Sequence, residues 1–205
     1  MPVAPVDLKK VYRDYTASAA PEVVEVPSRR YLMIDGAGDP NTGQDYRDAI
    51  AALYPLAHGL RAAVKVATGD AYVVMPLEGL WWAEDMADFD STDKSGWLWT
   101  AMICVPEVVS PEMAAAVLPA VSEQKRLVSG HKARVEAVTE GVAAQLLYVG
   151  PFADEGPTIA ALHQFIDDAG FRLSGHHHEI YLSDPRRTQA AKLRTIIRQP
   201  FSRDA

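Results

Sequence analysis

The sequence predicts an α+β fold made of two similar β-α-β-β modules. In each half of the 205-residue chain, a strand pattern is followed by a long amphipathic helical pattern and then by two more strand patterns. The repeated order indicates an internal duplication. Such modules form antiparallel sheets with their two long helices on one side, so we expect sheet faces without helices to form a central ligand cleft.

The first module is predicted to span about residues 25–109. It opens with an apolar strand at 29–36, and the helix that follows has apolar residues at every third or fourth position and should kink at Pro55. An extended segment at 71–82 comes next. A strand at 97–109, rich in β-branched and aromatic residues, completes the module.

The second module is predicted to span about residues 135–201 and repeats the same order. A strand at 141–150 precedes a helix at 154–170, which ends at a glycine. Two further strands follow at 176–184 and 193–201. The second half therefore matches the first element by element.

A connecting helix is predicted between the modules, at about residues 110–130. Ser110 is a typical N-cap residue, and Pro111 suits the first turn of a helix. Because no low-complexity linker separates the modules, we expect residues 1–205 to form a single domain.

The composition excludes several classes of protein. The chain has 20 Lys and Arg against 27 Asp and Glu, and the resulting net charge of −7 disfavours nucleic acid as a partner. The single cysteine, Cys104, excludes an intrachain disulfide. No apolar run approaches the roughly 20 residues that span a bilayer, and the first residues lack the apolar core of a signal peptide. We expect a cytoplasmic protein without a membrane partner, and a monomer and a homodimer both remain open.

The most distinctive local pattern is HHHEIYLSD at residues 176–184. Alternation along a strand places Glu179 and Tyr181 on one face, and Ile180 and Leu182 on the other. The apolar face belongs in the core, so Glu179 and Tyr181 are expected to face the cleft. There a carboxylate can attract a cation or activate a water, and a phenol ring can stack on a flat ligand. The alternative is a solvent-facing glutamate on an ordinary strand.

The run of three histidines raises the question of a metal site. His176 and His178 lie on one side of the predicted strand, but the other histidines, His58, His131 and His163, lie in unrelated contexts. No second pair of ligands has metal-site spacing, and no glycine-rich phosphate loop is present. We therefore expect neither a metal nor a cofactor.

All four tryptophans lie between residues 81 and 99. If VMPLEGLWW stays extended, Glu78 and Trp82 share a face, whereas a bulge at Gly79 would turn Trp81 toward the cleft instead. Both tryptophans remain candidates, and Glu78 is either a second acid or a structural residue. Core filling and an aromatic cage around a planar, cationic molecule are both open explanations for the cluster.

Four motifs follow one another along nearly the whole chain, from about Asp7 to Phe201. They are YLMIDGAGDPN, MPLEGLWW, VGPFADEGPTI and HHEIYLSDPRR. This succession resembles the GyrI-like small-molecule-binding family. The resemblance implies two β-α-β-β modules around a pseudo-twofold axis, an SHS2-like or SOUL-like arrangement, with a central cleft for flat, aromatic and often cationic xenobiotics. In that family the glutamate of the E-I-Y-L strand contacts the ligand, and here that position is Glu179.

More narrowly, the chain resembles the stand-alone subfamily that includes cyclopropanoid cyclopropyl hydrolases. In these proteins an aromatic cage holds a DNA-alkylating drug while water opens its strained three-membered ring. The resemblance implies that Glu179 is catalytic and that the cage is formed by Trp81 or Trp82, Tyr148 and Tyr181. Tyr148 and Phe152 stand where the subfamily motif H-I-G-P-Y has a histidine and a tyrosine, which leaves the pocket shape and the substrate open.

Two other functions are compatible with the same residues. A non-catalytic protein that senses or sequesters drugs would use Glu179 to pair with ligand cations. A gyrase-interacting modulator is less favoured, because the acidic residues are spread along the chain rather than gathered in blocks.

Overall fold

The computed structural model of the chain describes residues 4–84 and 93–202. It has the predicted α+β class, with few helices and antiparallel strands. The helices are α1 (Leu8–Val11), α2 (Gln44–Thr68), α3 (Pro111–Lys125) and α4 (Gly156–Asp168). The strands are β1 (Glu22–Val26), β2 (Arg29–Ala37), β3 (Glu78–Trp82), β4 (Leu98–Val105), β5 (Arg134–Val138), β6 (Gly141–Val149), β7 (Arg172–Leu173), β8 (His177–Tyr181) and β9 (Arg194–Ser202). In the described part of the chain, no helix combines the length and the apolar composition that crossing a membrane requires.

The chain forms two compact units, each assembled from separate stretches of sequence. The first comprises Met1–Val11, Arg29–Met75 and Trp82–Val138, and the second comprises Tyr12–Ser28, Pro76–Trp81 and Thr139–Ala205. Strand β3, which the sequence assigns to the first module, pairs with β8. The module boundaries at about 25–109 and 135–201 stay a prediction.

In the first unit, β2 lies between β4 and β5 and pairs antiparallel with both. Helix α2 packs on β2 and β4, and α3 packs on α2 and β5. The apolar stripe predicted for α2 is buried, including Leu53, Leu60 and Val64. The helix continues through Pro55 and ends at Gly69, whose φ of 80° is a left-handed conformation that glycine adopts readily.

Helix α3 begins where the sequence predicts the connecting helix. The Ser110 side chain accepts a hydrogen bond from the Met113 backbone nitrogen at 3.2 Å, and Pro111 occupies the first turn. The helix ends at Lys125, inside the predicted range of 110–130.

The second unit contains an antiparallel sheet in the order β1-β6-β9-β8-β3, and β7 pairs with β9. Helix α4 packs against β6, β7 and β9. The core of this unit consists of Ala144, Leu146, Leu162, Ile166, Ile197 and Phe201. The predicted apolar stripe of α4 is thus the surface that covers the sheet.

The strand register determines which face of this sheet carries Glu179. Glu179 pairs with Ile197, and Ile197 pairs with Leu146. Directly paired residues of antiparallel strands project from the same face. Ile197 and Leu146 belong to the core under α4, so Glu179 lies on the helix-bearing face of this unit. The expectation that a bare sheet face carries Glu179 is therefore wrong, because the stripe of α4 packs on the row that Glu179 extends.

Candidate functional site

The Glu179 cluster consists of three side chains on β8: His177, Glu179 and Tyr181. Alternate residues of a strand project from the same face, and this brings the three together. The Tyr181 hydroxyl donates to Glu179 Oε2 at 2.7 Å, and His177 Nε2 lies 3.2 Å from Glu179 Oε1. The Glu179 side chain is 13% exposed and His177 is buried. The cluster is therefore a largely buried carboxylate with a hydrogen-bond partner at each oxygen.

Aromatic rings lie next to the Glu179 cluster. Phe152 meets Tyr181 edge to face, with ring centroids 5.4 Å apart. Tyr148 lies on the same sheet face, because Tyr148 and Tyr181 both pair with Thr195. The Tyr148 hydroxyl donates to the backbone oxygen of Pro151 at 2.9 Å, which fixes its ring. The structure thus places the predicted Tyr148 and Tyr181 on one face, with Phe152 beside them.

The register of β3 separates Trp81 from Trp82. Residues 78–81 pair one to one with β8, so the strand has no bulge at Gly79. Gly79 pairs with Glu179 and Trp81 pairs with His177, which places Trp81 on the face of the Glu179 cluster. A Cβ atom on Gly79 would lie 2.7 Å from Trp81 Nε1, so the indole covers this glycine. Trp82 alternates to the opposite face of the strand and is half-buried.

Glu78 lies in a different environment from Glu179. It is fully buried, and it projects from the opposite face of β3 to Trp81. Its Oε1 accepts a hydrogen bond from the Tyr15 hydroxyl at 2.7 Å, and His178 Nε2 lies 3.1 Å from its Oε2. Both oxygens are thus used inside the protein, which favours the structural alternative for Glu78.

The family of this chain follows from its similarity to known sequences. The profile of the GyrI-like small molecule binding domain matches residues 19–200. The chain belongs to this family. The resemblance inferred from the motifs between about Asp7 and Phe201 is confirmed.

Several solved structures are similar to this chain over almost its whole length. An uncharacterised conserved protein from Listeria innocua is 35% identical with a TM-score of 0.89, and the match covers 96% of this chain and 100% of that one. A hydrolase from Listeria innocua is 34% identical with a TM-score of 0.86, covering 97% of this chain and 100% of its own. A further hydrolase structure from the same organism is 33% identical with a TM-score of 0.82, covering 96% and 100%. The comparison with curated proteins gives no match.

This GyrI-like chain contains a buried charged network that the sequence did not predict. It consists of Glu78, His178, Glu140 and Arg198, with Asp14, Tyr15 and Gln145 bonded to them. His178 Nδ1 lies 2.8 Å from Glu140 Oε1. Arg198 donates to Glu140 Oε2 at 2.7 Å and to the Asp14 backbone oxygen at 2.7 Å. The network surrounds the face of β8 opposite to Glu179.

The charges of this network shift each other's ionisation. Burial disfavours a charged imidazole, but the charge and hydrogen bond of Glu140, together with Glu78, raise the pKa of His178 to about 9. Burial also disfavours the Glu140 carboxylate, but His178 and Arg198 lower the pKa of Glu140 to about 2. Both ring nitrogens of His178 face carboxylate oxygens, which only accept, so the ring is an imidazolium.

The remaining tryptophans belong to the first unit. Trp99 is fully buried, meets Tyr46 edge to face with centroids 5.0 Å apart, and lies over Gly36. Trp97 is buried, with Lys94 Nζ 4.5 Å from the centre of its ring. Core filling therefore explains Trp99, whereas Trp81 is the tryptophan that accompanies Glu179.

The first unit also has a surface groove that the sequence did not predict. It has a volume of about 730 Å³ and lies between α3 and residues 127–135. Its lining is mainly apolar, with Leu118, Pro119, Leu127 and Val135. None of the predicted site residues lines it. Among the described residues, no group of three or more His, Cys, Asp or Glu side chains could hold a metal ion.

Proposed function

We propose that this GyrI-like protein binds planar hydrophobic or cationic xenobiotics against the Glu179 cluster and hydrolyses cyclopropanoid alkylating compounds, which detoxifies them. The observation that carries the proposal is a largely buried carboxylate held by two hydrogen-bond partners beside aromatic rings. Two solved structures of hydrolases from Listeria innocua are about one-third identical over almost the whole chain, which supports a catalytic role.

Binding would use the flat rings and the charge together. Tyr181 and Phe152 offer aromatic surface on the face that carries Glu179, and Trp81 lies buried on the same face. A planar ligand stacks on such rings, and a cationic one also interacts with their π-electrons. The carboxylate adds attraction for a cation, which is strengthened because burial removes the screening effect of water.

Hydrolysis would use Glu179 as a general base. The carboxylate takes a proton from water as the water oxygen attacks a carbon of the strained ring. One carbon–carbon bond of the ring breaks, and its electron pair passes into the conjugated part of the substrate, which is then protonated. Base assistance of this kind gives about 10²–10⁴-fold in rate. Holding the electrophile in a fixed orientation adds to it.

The first prediction tests this role by comparing Glu179→Gln with Glu25→Gln. Glu25 lies exposed on β1, so its variant loses the same charge outside the cluster. We expect Glu179→Gln to lower turnover of a cyclopropanoid compound by about 10²–10⁴-fold while a neutral planar compound still binds. Mass spectrometry of the water adduct measures turnover. Wild-type turnover in Glu179→Gln would contradict the base assignment.

A second candidate function is binding without catalysis, as a drug sensor or a sequestering protein. Both oxygens of Glu179 already have hydrogen-bond partners, which suits a fixed negative charge. In this case no water adduct forms from any cyclopropanoid compound. Glu179→Gln then weakens the binding of cationic dyes far more than that of neutral ones.

A further inference from the structure

We propose that His177 is a positioning residue: its Nε2–H group orients the Glu179 carboxylate and keeps it ready to accept a proton or pair with a cation. The proposal rests on the proposed function of Glu179, and it names a residue that this function alone does not require.

The donor in the bond between His177 and Glu179 follows from the chemistry of the carboxylate. An ionised carboxylate oxygen can only accept, so the hydrogen between His177 Nε2 and Glu179 Oε1 belongs to the imidazole, across 3.2 Å. The Nδ1 atom is buried and has no hydrogen-bond partner among the described residues. The bond to Glu179 is therefore the polar contact that accounts for a histidine here.

Burial makes this arrangement informative. His177 is 4% exposed, and a buried polar group without a partner costs about 1–3 kcal/mol. An apolar side chain of similar size would avoid that cost if the position served packing alone. A histidine is favoured when one ring nitrogen makes a bond that the protein uses. Here Nε2 bonds to the Glu179 carboxylate.

His177 also contacts a titratable ring on α4. The His163 ring on α4 meets His177 edge to face, with centroids 6.5 Å apart. Burial lowers the pKa of His163, and His177 lowers it further, so His163 adds no positive charge beside the pair. Tyr148 and Tyr181, which share this sheet face, carry no positive charge either.

The two donors hold different oxygens of Glu179. Tyr181 bonds to Oε2, whereas His177 bonds to Oε1. His177 thus fixes the direction of Oε1, which is what proton abstraction in a defined geometry requires.

The experiment compares His177→Gln, His177→Asn and His177→Phe. The glutamine amide nitrogen reaches the position of Nε2, whereas the asparagine amide reaches only that of Nδ1, and phenylalanine keeps the ring volume without a donor. We expect His177→Gln to keep kcat within about threefold of wild type, and His177→Asn and His177→Phe to lose about tenfold in kcat at little changed KM. His58→Gln, on the exposed side of α2, is the matched control and should resemble wild type.

A second measurement separates this proposal from the hydrolysis itself. Binding of ethidium, a planar cation, is followed by fluorescence against pH in each variant. Loss of the His177 donor favours the protonated form of Glu179, so we expect the midpoint of ethidium binding to move up by about one pH unit in His177→Asn and His177→Phe, with His177→Gln unchanged. If no variant hydrolyses a cyclopropanoid compound but the midpoints shift, catalysis is refuted and positioning stands. Equal midpoints in all variants, or a His177→Gln midpoint that matches His177→Phe, would overturn the positioning role.

Discussion

Gly79 has no side chain, and the indole of Trp81 occupies the space where one would be. A Cβ atom there would lie 2.7 Å from Trp81 Nε1, closer than a carbon and a nitrogen can approach. Gly79 also pairs with Glu179, so the indole is held over the sheet row that carries the carboxylate. We expect Gly79→Ala to displace Trp81, shift its fluorescence and weaken ethidium binding by about tenfold. Equilibrium dye titration measures the loss.

The control for this prediction is Gly156→Ala, at the first residue of α4. A Cβ atom at Gly156 meets nothing within 4 Å, so the substitution should leave dye binding and tryptophan fluorescence unchanged. If Gly79→Ala binds ethidium as tightly as wild type, the position of the Trp81 indole over this glycine does not contribute to ethidium binding.

At the scale of single residues, the sequence predicts which side chains share a strand face. It does not predict which side chains bond to partners far away along the chain. The strand pattern is sufficient to place Glu179 and Tyr181 on one face, since that needs only neighbours two positions apart. It cannot assign a partner to Glu78, because Tyr15 lies 63 residues away along the chain. The same limit explains why Trp81 and Trp82 stayed equivalent until the register with β8 was known.

At the scale of the elements, the charged network joins β3, β6, β8, β9 and the residues before β1. Folding raises the pKa of His178 from 6.5 to about 9. The network therefore contributes its full stability below pH 6.5, and the contribution is lost as pH rises through about 9. We expect the free energy of unfolding to fall by roughly 2–3 kcal/mol over that range, since each pKa unit corresponds to about 1.4 kcal/mol. Denaturant titrations at a series of pH values measure it.

Glu140 gives the opposite pH dependence of stability at acid pH. The pKa of Glu140 falls from 4.5 to about 2 on folding, so its contribution is present above pH 4.5 and is lost as pH falls toward 2. Tyr72 does not ionise in the pH range over which His178 is tested, because burial raises the pKa of Tyr72 to about 12. A free energy of unfolding that stays constant from pH 6.5 to about 9 would contradict the imidazolium assigned to His178.

The helices and strands with a long, regular pattern of apolar residues were predicted best. Helices α2 and α4 and strands β6, β8 and β9 carry long regular patterns, and each lies close to its predicted range. Strands β1 and β5 were missed because each is five residues long and gains its strand character from a distant partner. Strand β1 pairs with β6 more than 100 residues along the chain, and no local pattern records this.

For the whole molecule, the net charge of −7 attracts any cation, so cation binding alone does not identify a site. Glu179→Gln and Glu25→Gln each remove one negative charge and leave the same net charge of −6, since −7 + 1 = −6. Any difference between the two variants therefore belongs to the Glu179 cluster and not to the overall field.

Ligand-linked thermal stability turns this comparison into a test on the intact protein. A ligand at a hundred times its Kd stabilises the folded state by about 2.7 kcal/mol, which raises Tm by about 5–10 °C for a chain of this length. We expect ethidium to produce this shift in wild type and Glu25→Gln, and to lose most of it in Glu179→Gln at the same concentration. Phenanthridine, the neutral parent of ethidium, should shift wild type and both variants alike, because it needs the rings but not the carboxylate. An equal loss of the ethidium shift in Glu25→Gln would place the attraction in the overall charge, and the Glu179 cluster would then not be the cation site.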